Sequence, residues 1–103
     1  MDGISGGAVV YMEEIQLGQL VKSIAGRDKE KVYLIYDVLD KAFVRVIDGD
    51  KRKLTNPKRK NIKHLYIFPE KAGTIAEKLR KGEPVTEEEI YEVINSLGSS
   101  HRV

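Results

Sequence analysis

The chain has 103 residues, of which 41% are hydrophobic and 33% charged, a composition that suits one small folded domain, and the small core of such a chain speaks against a large substrate-enclosing enzyme architecture. It contains no cysteine, which excludes disulfides, thiolate metal sites and thiol nucleophiles. The net charge of +2 hides an uneven distribution: residues 1–18 carry −3, residues 19–65 carry 13 basic and 6 acidic side chains for +7, and residues 66–103 carry −2. A basic middle of this kind points to a polyanionic partner. No apolar run approaches the roughly 18–20 residues of a membrane span. The first residues lack the basic-then-apolar layout of a signal peptide. The expected location is the cytoplasm, with no membrane partner.

Residues 1–14, with Gly3, Gly6 and Gly7, show little periodicity and read as a flexible leader, with Met12 as an alternative start. Residues 18–24 read as a short strand in which Lys22 points outward and Ile24 inward. A polar loop from Ala25 to Lys31 follows, with Gly26 supplying a backbone angle that other residues resist. Val32 to Val38 is β-branched and aromatic and predicts a strand covered on both faces. Leu39-Asp40-Lys41 is a turn and Ala42 to Ile47 the return strand, with Phe43 opposite the Val44/Val46 set. Asp48-Gly49-Asp50 is a tight turn. It leads into a basic loop in which Pro57 breaks regular structure, and Ile62 to Phe68 forms a further strand. The expected core is Ile24, Val32, Leu34, Tyr36, Phe43, Val44, Val46 and Leu65. Short strands joined by polar loops over some fifty residues suggest a small barrel.

After Pro69 the apolar period changes from two to about 3.6. Ala72 to Lys81 predicts an amphipathic helix stopped by Gly82. Thr86-Glu87-Glu88-Glu89 is a capping box that opens a second helix, with Ile90, Val93, Ile94 and Leu97 as its stripe and Gly98 as its end. The two helices form a hairpin over residues 69–98, behind a β domain at 15–68 and ahead of a tail at 99–103. Their stripes pack on each other or on the barrel.

The candidate functional residues are basic. Arg27, Lys29 and Lys31 lie in the first loop. Lys51, Arg52 and Lys53, then Lys58, Arg59 and Lys60, then Lys63 and His64 lie in the second, and Lys22 stands on the first strand. Cations placed on phosphates release condensed counterions and drive binding to nucleic acid. No catalytic constellation is visible. His64 reads as a structural or phosphate-contacting imidazole, His101 lies in the tail, and Glu87–Glu89 favour the positive end of a helix dipole rather than a metal. A non-enzymatic protein with no cofactor, metal or small-molecule substrate is expected. Tyr33, Tyr36 or Tyr66 are candidates for stacking on an unpaired base, with core packing favoured for Tyr36.

Residues 19–32, Gln-Leu-Val-Lys-Ser-Ile-Ala-Gly-Arg-Asp-Lys-Glu-Lys-Val, resemble a KOW motif, with Gly26 as the motif glycine and Arg27, Lys29 and Lys31 as its basic loop. Val46-Ile47-Asp48-Gly49, the basic loop and Asn61-Ile62-Lys63-His64-Leu65 are similar to the e-type fourteenth large-subunit ribosomal protein. They are closer still to the small bacterial KOW-domain RNA-binding proteins related to it, which share the tail Ile75-Ala76-Glu77-Lys78-Leu79 and Thr86-Glu87-Glu88-Glu89-Ile90. The resemblance spans about residues 16–97. It implies a mainly β fold, a small SH3-like (KOW) barrel followed by a C-terminal α-helical hairpin. It also implies RNA as partner, ribosomal RNA first, with ribosomal subunit proteins as further partners. Many KOW loops have a second glycine where this chain has Glu30. The competing class is a protein-interaction module, since SH3-like barrels also bind peptides.

Overall fold

A computed structural model describes residues 15–99; the leader and His101 lie outside the described residues. Five strands form one antiparallel sheet: β1 (Gln19–Ser23), β2 (Val32–Val38), β3 (Phe43–Ile47), β4 (Lys58–Asn61) and β5 (Leu65–Lys71), in the order β4-β3-β2-β1-β5. The first three strands form where β-branched and aromatic residues cluster, as expected. β4 does not: Lys58-Arg59-Lys60-Asn61, which the sequence reads as loop, is a strand, paired with β3 at Val44↔Lys60 and Val46↔Lys58. Pro57 stands just before it, where a missing amide costs no ladder bond.

The expected strand Ile62 to Phe68 is also revised. Ile62–His64 is a turn of 3-10 helix, capped by Asn61, whose side-chain oxygen accepts from the Lys63 amide at 3.0 Å. β5 then runs on through Pro69. Proline is tolerated there because β5 is an edge strand, and the pairing skips: Val21 faces Ile67 while Gln19 faces Lys71. Gln19 repairs part of the irregularity, its side-chain amide donating to the Phe68 carbonyl at 3.0 Å.

Alternate residues of the sheet feed two clusters. Val21, Tyr33, Ile35, Val44, Val46, Ile62 and Leu65 fill the concave side. Leu20, Leu34, Ile47 and Phe68 face the other way, where they meet α1 (Gly73–Lys81) and α2 (Glu87–Gly98) through Ile75, Ile90 and Ile94. The helices therefore complete the core, as one of the two expected packings had it. The sheet curls far enough that Lys60 on β4 reaches Ser23 on β1, with Nζ donating to Oγ at 3.0 Å. Among the described residues the two edges share no backbone ladder, so side chains close this small barrel-like sheet. Of the expected core, Leu34, Val44, Val46 and Leu65 are buried, and Val32, Tyr36 and Phe43 are half-buried. Ile24 is a correction. It is 45% exposed, because β1 stops at Ser23 and the Ile24 amide leaves the sheet to donate to the His64 carbonyl at 2.9 Å.

Both helices follow their signals. Gly82 ends α1 with φ 72°, in the left-handed region that glycine adopts without strain. Thr86 and Glu89 make the expected capping box on α2. No helix of the described residues is long and apolar enough to cross a membrane.

Candidate functional site

The pairings Leu20↔Leu34, Leu34↔Ile47 and Val46↔Lys58 put the β1–β2 and β3–β4 connections at the same end of the sheet. The first connection is tightly folded. Lys29 donates to the Gly26 carbonyl at 3.2 Å, Lys31 to Asp28 at 2.9 Å and Glu30 to Ser23 at 2.8 Å, all through backbone amides. Gly26 takes φ 86°, which accounts for glycine at this position. Glu30 takes φ 79°, a left-handed angle that glycine adopts more readily than a residue with a side chain. Its carboxylate meets Lys22 at 3.5 Å.

This fold of the loop turns Asp28 inward and leaves Arg27 and Lys29, on either side of it, exposed. Asp28 is 9% exposed and gathers four donors. Ser23 Oγ donates at 2.8 Å and Tyr33 Oη at 2.7 Å, and Lys60 Nζ and Lys58 Nζ each stand 3.1 Å from a carboxylate oxygen. Burial pushes the Asp28 carboxyl up, but the bonds from Tyr33, Ser23, Lys60 and Lys58 outweigh it and hold the group far below the usual carboxylate range. Burial first, then the Asp28 bond, raises the Tyr33 phenol well above its ordinary value, with Asp48 adding to the effect and Arg52 opposing it. Tyr33 is therefore a fully engaged core residue, not a base-stacking platform.

The run Lys58-Arg59-Lys60 does not act as one patch. As a strand it alternates, sending Lys58 and Lys60 to Asp28 on the concave side and Arg59 to the other face, where its guanidinium lies 3.8 Å from the Phe43 ring centroid. Lys60, expected on the binding surface, is 7% exposed and spent on Asp28 and Ser23. Lys58 is half-buried and ion-paired, and Arg59 stands apart from the loops. Lys22 is half-buried beside Glu30.

The second connection is tied at both ends. Asp48 Oδ1 accepts from the amides of Asp50 and Arg52, both at 2.9 Å, and the Glu87 carboxylate of α2 accepts from the Leu54 amide at 2.9 Å. Lys31 approaches Asp48 at 3.9 Å, which joins the two connections. Lys51 and Lys53 are exposed and Arg52 half-buried. Lys63 and His64 sit on the 3-10 turn, held against the first loop by the Ile24–His64 bond. Arg27, Lys29, Lys51, Lys53 and Lys63 have no ion-pair partner among the described residues.

Of the three tyrosines considered for stacking, Tyr36 is half-buried with Arg45 over its ring at 5.9 Å, and Tyr66 is 52% exposed. Two residues escape a reading of the sequence. Asp28 looks like one acid diluting a basic loop, because its lysine partners lie about thirty residues on, in a strand with no strand signal. Tyr91 sits on the helix side away from the apolar stripe, where nothing local marks it, and is 49% exposed. No protein-family model matches the chain.

Proposed function

We propose that the chain is a non-enzymatic, cytoplasmic RNA-binding protein of the KOW type that contacts the phosphates of structured, first of all ribosomal, RNA. The supporting observation is the pinned loop. Asp28, held from beneath by Ser23, Tyr33, Lys58 and Lys60, fixes the backbone from which Arg27 and Lys29 project exposed, with no ion-pair partner among the described residues, beside the Lys63–His64 turn. Cations on a rigid support lose little conformational freedom on binding. Backbone contacts of this kind position a domain without reading sequence, which suits recognition of RNA by shape. The resemblance of residues 16–97 to KOW-domain proteins agrees with this reading. Lys31, Arg52, Lys51, Lys53 and His64 extend the surface; Lys60 does not belong to it.

The test is fluorescence anisotropy with a labelled ribosomal RNA hairpin. The comparison is between wild type, Arg27→Ala/Lys29→Ala/Lys63→Ala and a Lys81→Ala control on the exposed end of α1. Wild-type affinity falls steeply between about 50 and 200 mM salt, and the triple variant flattens the slope of log affinity against log salt by about 2. A slope equal in wild type and triple variant overturns the proposed surface. Affinity independent of salt overturns the RNA reading and favours a protein partner.

A further inference from the structure

A groove of about 630 Å³ opens between the base of the β1–β2 hairpin, β5 and the C-terminal half of α2. That size falls within the roughly 300–1,000 Å³ of small-ligand sites. Its floor is apolar, from Val32 and Phe68. Two tyrosines line it from different elements, Tyr66 on β5 and Tyr91 on α2, with about half of each side chain open to solvent. The Tyr66 ring is set edge-on against Phe68, with centroids 5.0 Å apart and planes at 75°, so its orientation is fixed before any ligand arrives.

The polar lining is net acidic rather than cationic, with two lysines against three carboxylates. Lys22 meets Glu30 at 3.5 Å and Lys31 meets Asp48 at 3.9 Å, while Asp50 adds a further carboxylate. A site with this balance gains little from a bare phosphate. It suits a flat, uncharged ring with apolar faces and a polar edge, and Asn95 offers such an edge both a donor and an acceptor. Lys31 belongs to both the groove and the cationic loop, so a strand whose phosphates lie on Arg27 and Lys29 passes the groove mouth. The Lys22–Glu30 pair is long and open to solvent, and pairs of that kind hold weakly.

We propose that this groove takes one unpaired nucleobase of the bound RNA, stacked on Tyr66 and flanked by Tyr91. The inference rests on the RNA-binding reading above. It adds a preference for RNA with a bulged or looped-out nucleotide over continuous duplex.

The experiment uses two labelled hairpins, identical except that one carries a single bulged 2-aminopurine and the other is fully paired. Wild type binds the bulged hairpin more tightly and changes the 2-aminopurine fluorescence. Tyr66→Ala weakens binding to the bulged hairpin by about 5- to 100-fold, leaves the paired hairpin unchanged and abolishes the fluorescence change, whereas Tyr66→Phe keeps all three wild-type values. Tyr91→Ala, on the opposite wall of the groove, shifts the bulged hairpin in the same direction. Equal binding of the two hairpins by wild type, or an equal loss on both in Tyr66→Ala, overturns the groove while the RNA reading stands. Binding of neither hairpin by wild type overturns the RNA reading and the groove with it.

Discussion

At the scale of single residues, Asp28 has the largest structural consequence. One carboxylate satisfies two lysines, a serine and a tyrosine. Asp28→Asn leaves the buried Lys60 ammonium without a counter-charge and costs about 3–5 kcal/mol. Lys60→Met leaves Asp28 still bonded to Lys58, Ser23 and Tyr33, and costs less, about 1.5–3 kcal/mol. Because the folded Asp28 pKa lies below its unfolded value, its contribution is complete above the usual carboxylate range and fades as pH falls through it toward the folded value. Urea midpoints at neutral pH and near pH 3 check both points. Asp28→Asn has the lowest midpoint at neutral pH and the smaller loss on acidification. Equal acid sensitivity in wild type and Asp28→Asn would refute the assignment. In RNA titrations Lys60→Met keeps the wild-type salt slope, since its ammonium never faces the solvent. None of this is legible along the chain, where Asp28 looks like an acid among bases. The network exists only once β4 is folded against the hairpin.

At the scale of elements, the sequence is most readable where a period and its punctuation agree. β2, β3, α1 and α2 combine apolar periodicity with turn, cap or stop residues, and all four stand within a residue or two of expectation. β4 has no such signal, because its inward positions are lysines whose partner is a distant carboxylate. β5 is misread at its start, where the Asn61 cap winds three residues into a 3-10 turn, and at its end, where Pro69 survives on an edge strand. Gly49 shows a constraint that only tertiary contact explains. Gly49 and Gly82 have similar backbone angles, φ 75° and 72°. An added Cβ at Gly82 meets nothing within 4 Å, while at Gly49 it meets the Glu87 carbonyl at 2.4 Å and the Tyr91 amide at 2.7 Å, both in the backbone of α2. Gly82→Ala therefore costs only the left-handed angle, about 1–2 kcal/mol. Gly49→Ala adds about 1–3 kcal/mol of overpacking, because a helix has to move. At about 4–8 °C per kcal/mol, thermal melts separate the two by several degrees, with Gly49→Ala the lower. Equal melting temperatures would mean that α2 gives way freely.

At the scale of the molecule, the sheet is buried on both faces, and this links the helices to the loops. Leu20, Leu34 and Ile47 are fully buried and Phe68 is 6% exposed, all on the face covered by Ile75, Ile90 and Ile94. Burial of such side chains contributes about 1.5–3 kcal/mol each, so uncovering four of them removes an amount comparable to the whole stability of a small domain, about 5–15 kcal/mol. A fragment of residues 15–71 therefore keeps every strand and loses its folded state. Its expected signature is ANS binding, collapsed amide dispersion and a non-cooperative melt, whereas a soluble fragment with dispersed amides and a sharp transition would show that the β part folds alone. The helices also hold the second basic connection, through Glu87 on the Leu54 amide and the close seat of Gly49 against α2. Loss of α2 thus frees Lys51, Arg52 and Lys53 from a fixed backbone even if some sheet persists. On the proposed RNA-binding reading, any residual affinity of the fragment keeps a salt dependence, because the cations remain. It loses the preference for a bulged base, because Tyr91 and the C-terminal wall of the groove are gone.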